Sequence, residues 1–346
     1  MSPNIKIIAE KAGVSTATVS RVINNFPGVR EKTRKKVLKI ISELNYEVDG
    51  IARSLRQKKT FKIGVIVENI LSQFYSILAK SIEDVAHKYG YNVILCNADD
   101  DPEKELNYLK VLKTSRVDGI IIAPTGKNAD YINSLLQSNI KIVLVDRLIE
   151  GVECDAILVD NEKGSYNAVK YLIDNGYRKI ALINGFTDRT TGKERLNGYI
   201  RALKENNIPI NNDFIKIRDF KKRSGIILTE ELLKNKEKPE AIFAANLDLT
   251  LGALLSIKNF GLKIPDDIAV IGFDDTDWEQ ILEPPLTVVR QPIYDLGSSS
   301  AEMLIKNIEE DNKFKKDNLI ITLNTKLIER NSVKKLSTIS GQINNN

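Results

Sequence analysis

The sequence predicts two fold classes in one chain: a small all-α unit first, then α/β lobes of parallel sheet flanked by helices. Three observations predict it. Residues 5–24 read as two short helices joined by a tight turn. From residue 63, short apolar runs alternate with helix-length amphipathic segments, a pattern that builds parallel sheets covered on both faces. The basic charge is concentrated at the start. Residues 1–60 carry 13 Lys/Arg against 5 Asp/Glu, a net of +8, while the remainder carries 38 against 41.

The first unit can be justified residue by residue. Ala9 is small enough for a second helix to cross closely. Gly13 stands where the chain must turn, and glycine takes positive φ at little cost. Ser15 is placed to cap the second helix by accepting from an N–H near Thr18. Val14, Val19 and Val22 fall at helical spacing and face a small core. Thr16, Ala17, Ser20 and Arg21 are left on or beside the outer face. This is the helix-turn-helix that places side chains in the DNA major groove. Residues 31–46 form a third amphipathic helix, with Val37, Ile40, Ile41 and Leu44 on one stripe. The segment Ile51-Ala52-Arg53-Ser54-Leu55-Arg56-Gln57 follows, leading into Lys58-Lys59-Thr60.

Strand-like runs then occupy residues 63–67, 92–96, 119–123, 141–145, 156–159, 179–183, 214–217, 241–244 and 269–272. Helix-length segments lie between most of them, such as 74–89, 102–114, 163–175, 193–206 and 250–260. Nine strands exceed what one such unit needs, so two α/β lobes with a cleft between them are expected. Ligands of open α/β sheets sit outside the carboxyl ends of the strands, which directs attention to the loops just after each strand.

Composition narrows the function classes. The 346 residues are 42% hydrophobic and 28% charged, ordinary for a soluble globular chain. Cys96 and Cys154 are far apart and form no CxxC pair, so buried reduced thiols are expected. No apolar run reaches membrane-spanning length and no signal-peptide pattern opens the chain, which implies a cytoplasmic location. The single histidine, His87, lies mid-helix without a nucleophile or metal-spaced partners. There is no GxGxxG, GxxxxGK[ST] or HExxH motif. Asp99-Asp100-Asp101 reads as a solvated loop before Pro102. No catalytic residue, metal or cofactor is expected.

The ordered set of helix-turn-helix, third helix, "NY", "IARSL", "IGVIV", "VDGIII", "VDNEKGSYNAVKYLIDNGYRKIALI", "RLNGYIRAL", "IPDDIAVIGFDD" and "EPPLTVVRQP" resembles the LacI family of bacterial transcription regulators. The resemblance reaches to about Ser332. It implies a headpiece at 1–49, a hinge helix and linker at 50–60, a two-lobed, periplasmic-binding-protein-like effector and dimerisation domain at 61–332, and a disordered tail at 333–346. The first lobe would comprise 61–160 with a return near 291–320, and the second 161–290. A tail without leucine heptads implies a homodimer.

For DNA, the resemblance places Thr16, Ala17 and Arg21 on the groove-facing side. Arg21 is suited to bidentate reading of guanine. Ser15, Thr18, Ser20 and Asn24 suit phosphates. Ala52 and Leu55 belong to the hinge helix, with Leu55 as a wedge in the minor groove of a pseudo-palindromic duplex. One departure is Arg30, which stands where relatives often have a serine cap for the third helix.

For a small molecule, the resemblance points to Phe74, Tyr75, Asp146, Arg147, Arg189, Arg195, Phe220, Asn246, Asp274 and Trp278. Carboxylates, amides, arginines and aromatic faces suit a polyhydroxylated ligand. A second departure is Asn246-Leu247-Asp248, where relatives often read Asn-Asp or Asn-Asn, so a polar group is lost or displaced. Arg147 and Arg189 together suggest a sugar acid or sugar phosphate, unless they pair with Asp146 or Asp188. The implied function is repression of carbohydrate genes under a small sugar or sugar-acid effector. The alternatives are a global regulator answering to a phosphorylated protein and a solute-binding protein.

Overall fold

A computed structural model describes residues 4–23, 26–44, 59–310 and 317–336. The chain divides into two units, Met1–Thr60 and Phe61–Asn346.

The first unit contains α1 (Ile5–Ala12), α2 (Thr16–Ile23) and α3 (Glu31–Glu43). Asn4 caps α1, its side chain accepting from Lys6 and Ile7 N–H at 3.0 and 3.1 Å. Gly13 ends α1 at φ +65°, and its N–H returns to the Ala9 and Glu10 carbonyls. Ser15 Oγ accepts from Thr18 N–H at 3.2 Å. Arg30 supplies no side-chain cap to α3. The core is Ile8, Ala9, Ala12, Val19, Val22, Val37 and Ile40, with Val14, Ile41 and Leu44 packed against it.

The second unit holds two six-stranded sheets. Its first lobe runs β1 (Lys62–Val67), α4 (Gln73–Lys88), β2 (Asn92–Asn97), α5 (Pro102–Thr114), β3 (Gly119–Ile122), α6 (Ala129–Gln137), β4 (Lys141–Val145) and β5 (Asp155–Val159). The second runs α7 (Asn161–Asp174), β6 (Ile180–Asn184), α8 (Thr190–Glu205), β7 (Ile215–Ile217), α9 (Lys222–Lys234), β8 (Ala241–Ala244), α10 (Leu247–Asn259), β9 (Ala269–Phe273) and β10 (Thr287–Arg290). The chain then returns through α11 (Ile293–Glu309) and β11 (Ile320–Leu323) to the first sheet, and ends on the second with β12 (Lys326–Ile328).

Strand order is β11-β5-β4-β3-β1-β2 in the first sheet and β12-β10-β9-β8-β6-β7 in the second. All pairings are parallel except β10 with β12. The alternation of the sequence decides which face each residue meets. Ile63, Val65, Val67, Val143 and Val145 pack under α4 and α11, whereas Ile66, Ile120, Ile122 and Leu144 pack under α5 and α6. The second sheet repeats the scheme, with Leu182, Phe243 and Ile271 towards α7 and α8, and Ile183, Ile242 and Val270 towards α9 and α10. Helices approach closely where glycine allows it. A Cβ on Gly198 would lie 2.2 Å from the Glu162 carbonyl oxygen, which sets the α7–α8 contact.

Three expectations change. β10, β11 and β12 add strands that the apolar runs did not mark. The second lobe includes β12 and the residues after it. Residues 333–336 are not a free tail: Val333 is buried and Leu336 packs on the same core, with the Leu336 N–H held by the Asn175 carbonyl at 2.8 Å. The rest of the expected tail, and the hinge segment with Ala52 and Leu55, lie outside the described residues, as does Asn24.

Candidate functional site

Two surfaces carry chemistry. On the first unit, Ser15, Thr16, Ala17 and Arg21 are exposed, and Thr18 and Ser20 are half-buried. Ser15 Oγ and Thr18 Oγ1 lie 3.0 Å apart, so both hydroxyls belong to the start of α2 as well as to its outer face. Burial of Val19 and Val22 on the opposite stripe fixes that presentation.

The second surface is a cleft between the lobes of the second unit. It is lined by Glu68, Asn69, Ser72, Phe74, Tyr75, Asp146, Arg147, Thr191, Arg195, Phe220, Asn246, Asp248, Asp274 and Gln291. Each lobe contributes the same device: Asp146 after β4 and Asp274 after β9, at φ +69° and +82°. Aspartate tolerates this left-handed conformation better than most side chains. Their N–H groups donate to the next strand, Asp146 to the Ile157 carbonyl at 3.1 Å and Asp274 to Val289 at 2.9 Å. The peptide is thereby pinned and the carboxylate turns into the cleft.

In the first lobe, Arg147 is committed to its neighbours. Its guanidinium donates to Glu68 at 2.6 Å, Asp146 at 3.2 Å and the Tyr75 hydroxyl at 2.6 Å. Tyr75 in turn donates to Asp146 at 3.2 Å. Burial pushes the Tyr75 hydroxyl well above its usual range, and the carboxylates Asp146 and Glu68 add to that. Burial works against the Arg147 charge, but Tyr75, Glu68, Asp146 and Asp100 outweigh it and hold the guanidinium protonated. Phe74 meets Tyr75 edge to face, 4.9 Å between centroids.

In the second lobe, Arg195 donates to Asn161 at 2.9 Å and to the Ala245 carbonyl. Its guanidinium lies 3.9 Å from the Phe273 ring centroid and 5.8 Å from that of Phe220. Burial lowers its basicity. Phe220 fits beside the β6 end because Gly185 has no Cβ, which would otherwise lie 2.1 Å from the ring. Asn246 caps α10 at Leu249 N–H, 2.8 Å, and donates to the Phe220 carbonyl. Leu247 keeps a polar role through its backbone, donating to Asp274 at 3.1 Å. The displaced carboxylate, Asp248, lines the cleft instead. Burial raises Asp274 and Asp248 above the usual carboxylate range. Two buried oxygens of lining residues, Thr191 Oγ1 and Gln291 Oε1, have no hydrogen-bond partner.

Arg189 and Trp278 do not line the cleft. Arg189 lies across the lobe boundary, donating to Asp100 at 3.2 Å and Asp188 at 3.1 Å. Lys127 lies 3.5 Å from the same Asp188, and Leu148 N–H reaches Thr190 Oγ1 at 3.1 Å. In the segment before Trp278, Asp275 is clamped by Arg290 at 2.7 Å and Arg330 at 2.9 Å. Thr276 is then tied back to Glu279. The pair of arginines that suggested an anionic ligand is therefore spent on Glu68, Asp146, Asp100 and Asp188.

Glu68, Asn69, Ser72, Thr191 and Gln291 were missed by residue-type reasoning. Glu68 and Asn69 directly follow β1, and Gln291 directly follows β10, so the strand-end rule contained the signal. His87 is exposed on α4. Asp101 caps α5 at Glu103 N–H, 2.8 Å, Asp99 pairs with Lys104, and Asp100 pairs with Arg189. Among the described residues, no His, Cys, Asp or Glu cluster could hold a metal ion, and no helix is long and apolar enough to cross a membrane.

Residues 4–49 match the model of bacterial regulatory proteins of the lacI family, and residues 60–331 match that of periplasmic binding proteins and the sugar-binding domain of the LacI family. The chain is 37% identical to catabolite control protein A of Priestia megaterium over 96% of its own length and all of that protein. Among solved structures, it superposes on the lac repressor dimer bound to operator and the anti-inducer ONPF, with a TM-score of 0.84, 28% identity, and 96% and 100% of the two chains covered. A LacI family regulator from Enterococcus faecium with bound ribose gives a TM-score of 0.73 and 31% identity over 80% of this chain and all of that one.

Proposed function

Because the chain belongs to the LacI family of bacterial regulatory proteins, it is a DNA-binding transcription regulator, and we propose that it represses carbohydrate genes in the cytoplasm as a homodimer on a pseudo-palindromic operator. Its effector is a small sugar held between the lobes, of the size of ribose. One observation carries the sugar reading: the paired Asp146 and Asp274 device, one from each lobe, lining one cleft together with Arg147, Arg195, Phe74 and Phe220. Carboxylates accept from vicinal hydroxyls, and the unpartnered Thr191 and Gln291 oxygens supply further polar contacts. Aromatic rings cover the apolar face of the sugar. The ribose bound in the Enterococcus faecium relative supports the size of the ligand.

The lac repressor dimer on its operator supports the DNA and dimer readings. Thr16, Ala17 and Arg21 read bases from α2, while Ser15, Thr18, Ser20 and Asn24 hold phosphates. Ala52 and Leu55 add DNA contacts, Leu55 as a minor-groove wedge. The sugar acts by binding open and closed lobe arrangements differently, since only differential affinity shifts a population. The chemistry is recognition and not bond-making, so the chain is not an enzyme.

The experiment is selection of bound genomic fragments with the full-length protein, followed by operator affinity across a panel of sugars. A pseudo-palindrome whose affinity changes with one sugar supports the reading. Sequence-blind binding overturns the headpiece assignment. An operator bound only after adding a phosphorylated protein favours the global-regulator alternative.

A further inference from the structure

The charge of the cleft runs against the anionic ligand that its two arginines suggest in the sequence. The lining holds four carboxyl groups, Glu68, Asp146, Asp248 and Asp274, against two guanidinium groups, Arg147 and Arg195. Both guanidinium groups have partners of their own within the protein. Arg147 donates from Nε and Nη2 to Asp146, Glu68 and Tyr75. Arg195 donates to Asn161 and to a backbone carbonyl, with its face against Phe273.

The carboxylates differ in how far they are compensated. Asp146 and Asp274 receive donors, from Arg147 and Tyr75 in one case and from Gln291 and Leu247 N–H in the other. Asp248 receives none among the described residues; Lys222 is the cation whose field reaches it, and Glu68 and Asp274 act on it as like charges. Glu68 comes from the end of β1 in the first lobe and Asp248 from the first turn of α10 in the second. Closure of the lobes therefore encloses two like charges, of which one is uncompensated. A ligand that brings hydroxyl donors relieves this. A ligand that brings a second negative charge aggravates it, and at partly buried sites the repulsion is poorly screened.

We propose that Glu68 and Asp248 make the cleft an anion filter, admitting the free sugar and rejecting its phosphorylated or carboxylated forms. The effector is then the sugar before phosphorylation, the substrate of a sugar kinase and not its product. Asp248 is the specificity-determining residue, and Glu68 keeps Arg147 from serving as an anion site. The inference rests on the sugar reading of the cleft.

The test is calorimetric titration of the full-length protein with ribose, ribose 5-phosphate and the corresponding sugar acid, for the native chain and for Asp248→Asn and Glu68→Gln. The native chain should bind the free sugar at least about a hundredfold more tightly than either anion. Asp248→Asn should narrow that ratio about tenfold, equivalent to roughly 1.4 kcal/mol of lost repulsion, with anion affinity rising in absolute terms even as free-sugar affinity falls through loss of a hydroxyl acceptor. Asp248 is half-exposed and its side chain makes no hydrogen bond among the described residues, so the variant should fold, and circular dichroism checks that. Anion affinity equal to or above that of the free sugar overturns the filter. Anion rejection that persists unchanged in both variants also overturns it, because the exclusion is then steric. If no uncharged sugar of any size binds, the sugar reading itself falls and the filter with it.

Discussion

Replacing Arg189 by Gln should weaken sugar binding although Arg189 touches no part of the cleft lining. The side chain is 10% exposed and reaches from the start of α8 to Asp100, itself 24% exposed, in the other lobe. At 3.2 Å and an effective dielectric near 20, the gross attraction is about 5 kcal/mol. Desolvation consumes much of it. Burial is the leading reason the Asp100 carboxyl is raised above its usual range, with Glu68 adding to that and the two arginines opposing it. A net loss of roughly 1–3 kcal/mol is therefore expected when the arginine alone is removed, because a buried carboxylate is left facing only Arg147 at 3.9 Å. Apparent sugar affinity should fall about 5- to 150-fold, expressed mainly as faster release. Asp100→Asn in the same chain should recover part of the loss, since it removes the stranded charge. Asn also tolerates the φ of +57° at this position. By contrast, Lys127→Ala, which breaks an ion pair with both partners at least half exposed, should change affinity by about twofold or less and only at low salt. The assay is a double-mutant cycle on sugar affinity and release rate. Strictly additive effects of the Arg189 and Asp100 changes, or an unaltered affinity in Arg189→Gln, would refute the reasoning.

Other outcomes follow from the same geometry. Arg21→Ala should cost roughly 1–3 kcal/mol of operator affinity and relax preference at one base position; a uniform loss over all sequences would mean a phosphate contact instead. Gly198→Ala should lower the thermal midpoint by several degrees, for a cost of roughly 1–3 kcal/mol. The new Cβ meets the Glu162 backbone at 2.2 Å and cannot be relieved by a side-chain rotation; an unchanged midpoint would show that α7 and α8 can separate freely. Asp274 and Asp248 are raised chiefly by burial, so the folded chain holds protons that the unfolded chain has already released. Their contribution to stability is complete below the ordinary carboxylate range, near pH 4, and is lost as pH rises through the raised values. Thermal melting should be no lower near pH 5 than near pH 7, with a shallower slope in Asp248→Asn; a steep fall on acidification would contradict this.

Much of the architecture was legible because periodicity is local. Alternating apolar residues in 63–67, 119–122 and 141–145 have to bury both faces, and they divide between the two helix layers as alternation requires. The tight turn at Gly13 and the serine cap of α2 depend on residues within one helical turn. Asp146, Arg147, Asn246 and Asp274, which the family resemblance pointed to, lie in the cleft lining because they stand at or just beyond strand ends that the strands themselves fix. What escaped was set by partners distant in sequence. β11 and β12 are short and half-exposed, and they exist only because β5 and β10 offer open edges about 160 and 40 residues upstream.

The sequence alone thus determined the two units, the layers of each sheet and the strand ends that line the cleft, since these follow from burial repeating every two or every 3.6 residues. Only the tertiary structure decided where the loops beyond those ends would point. Trp278 falls outside the cleft lining, and Arg189 bridges the lobes because Asp100 stands on the other side. Charge that reads as cationic along the chain becomes acidic in the cleft, because a guanidinium is neutralised by whichever carboxylates folding brings within reach, and the chain order does not say which those are.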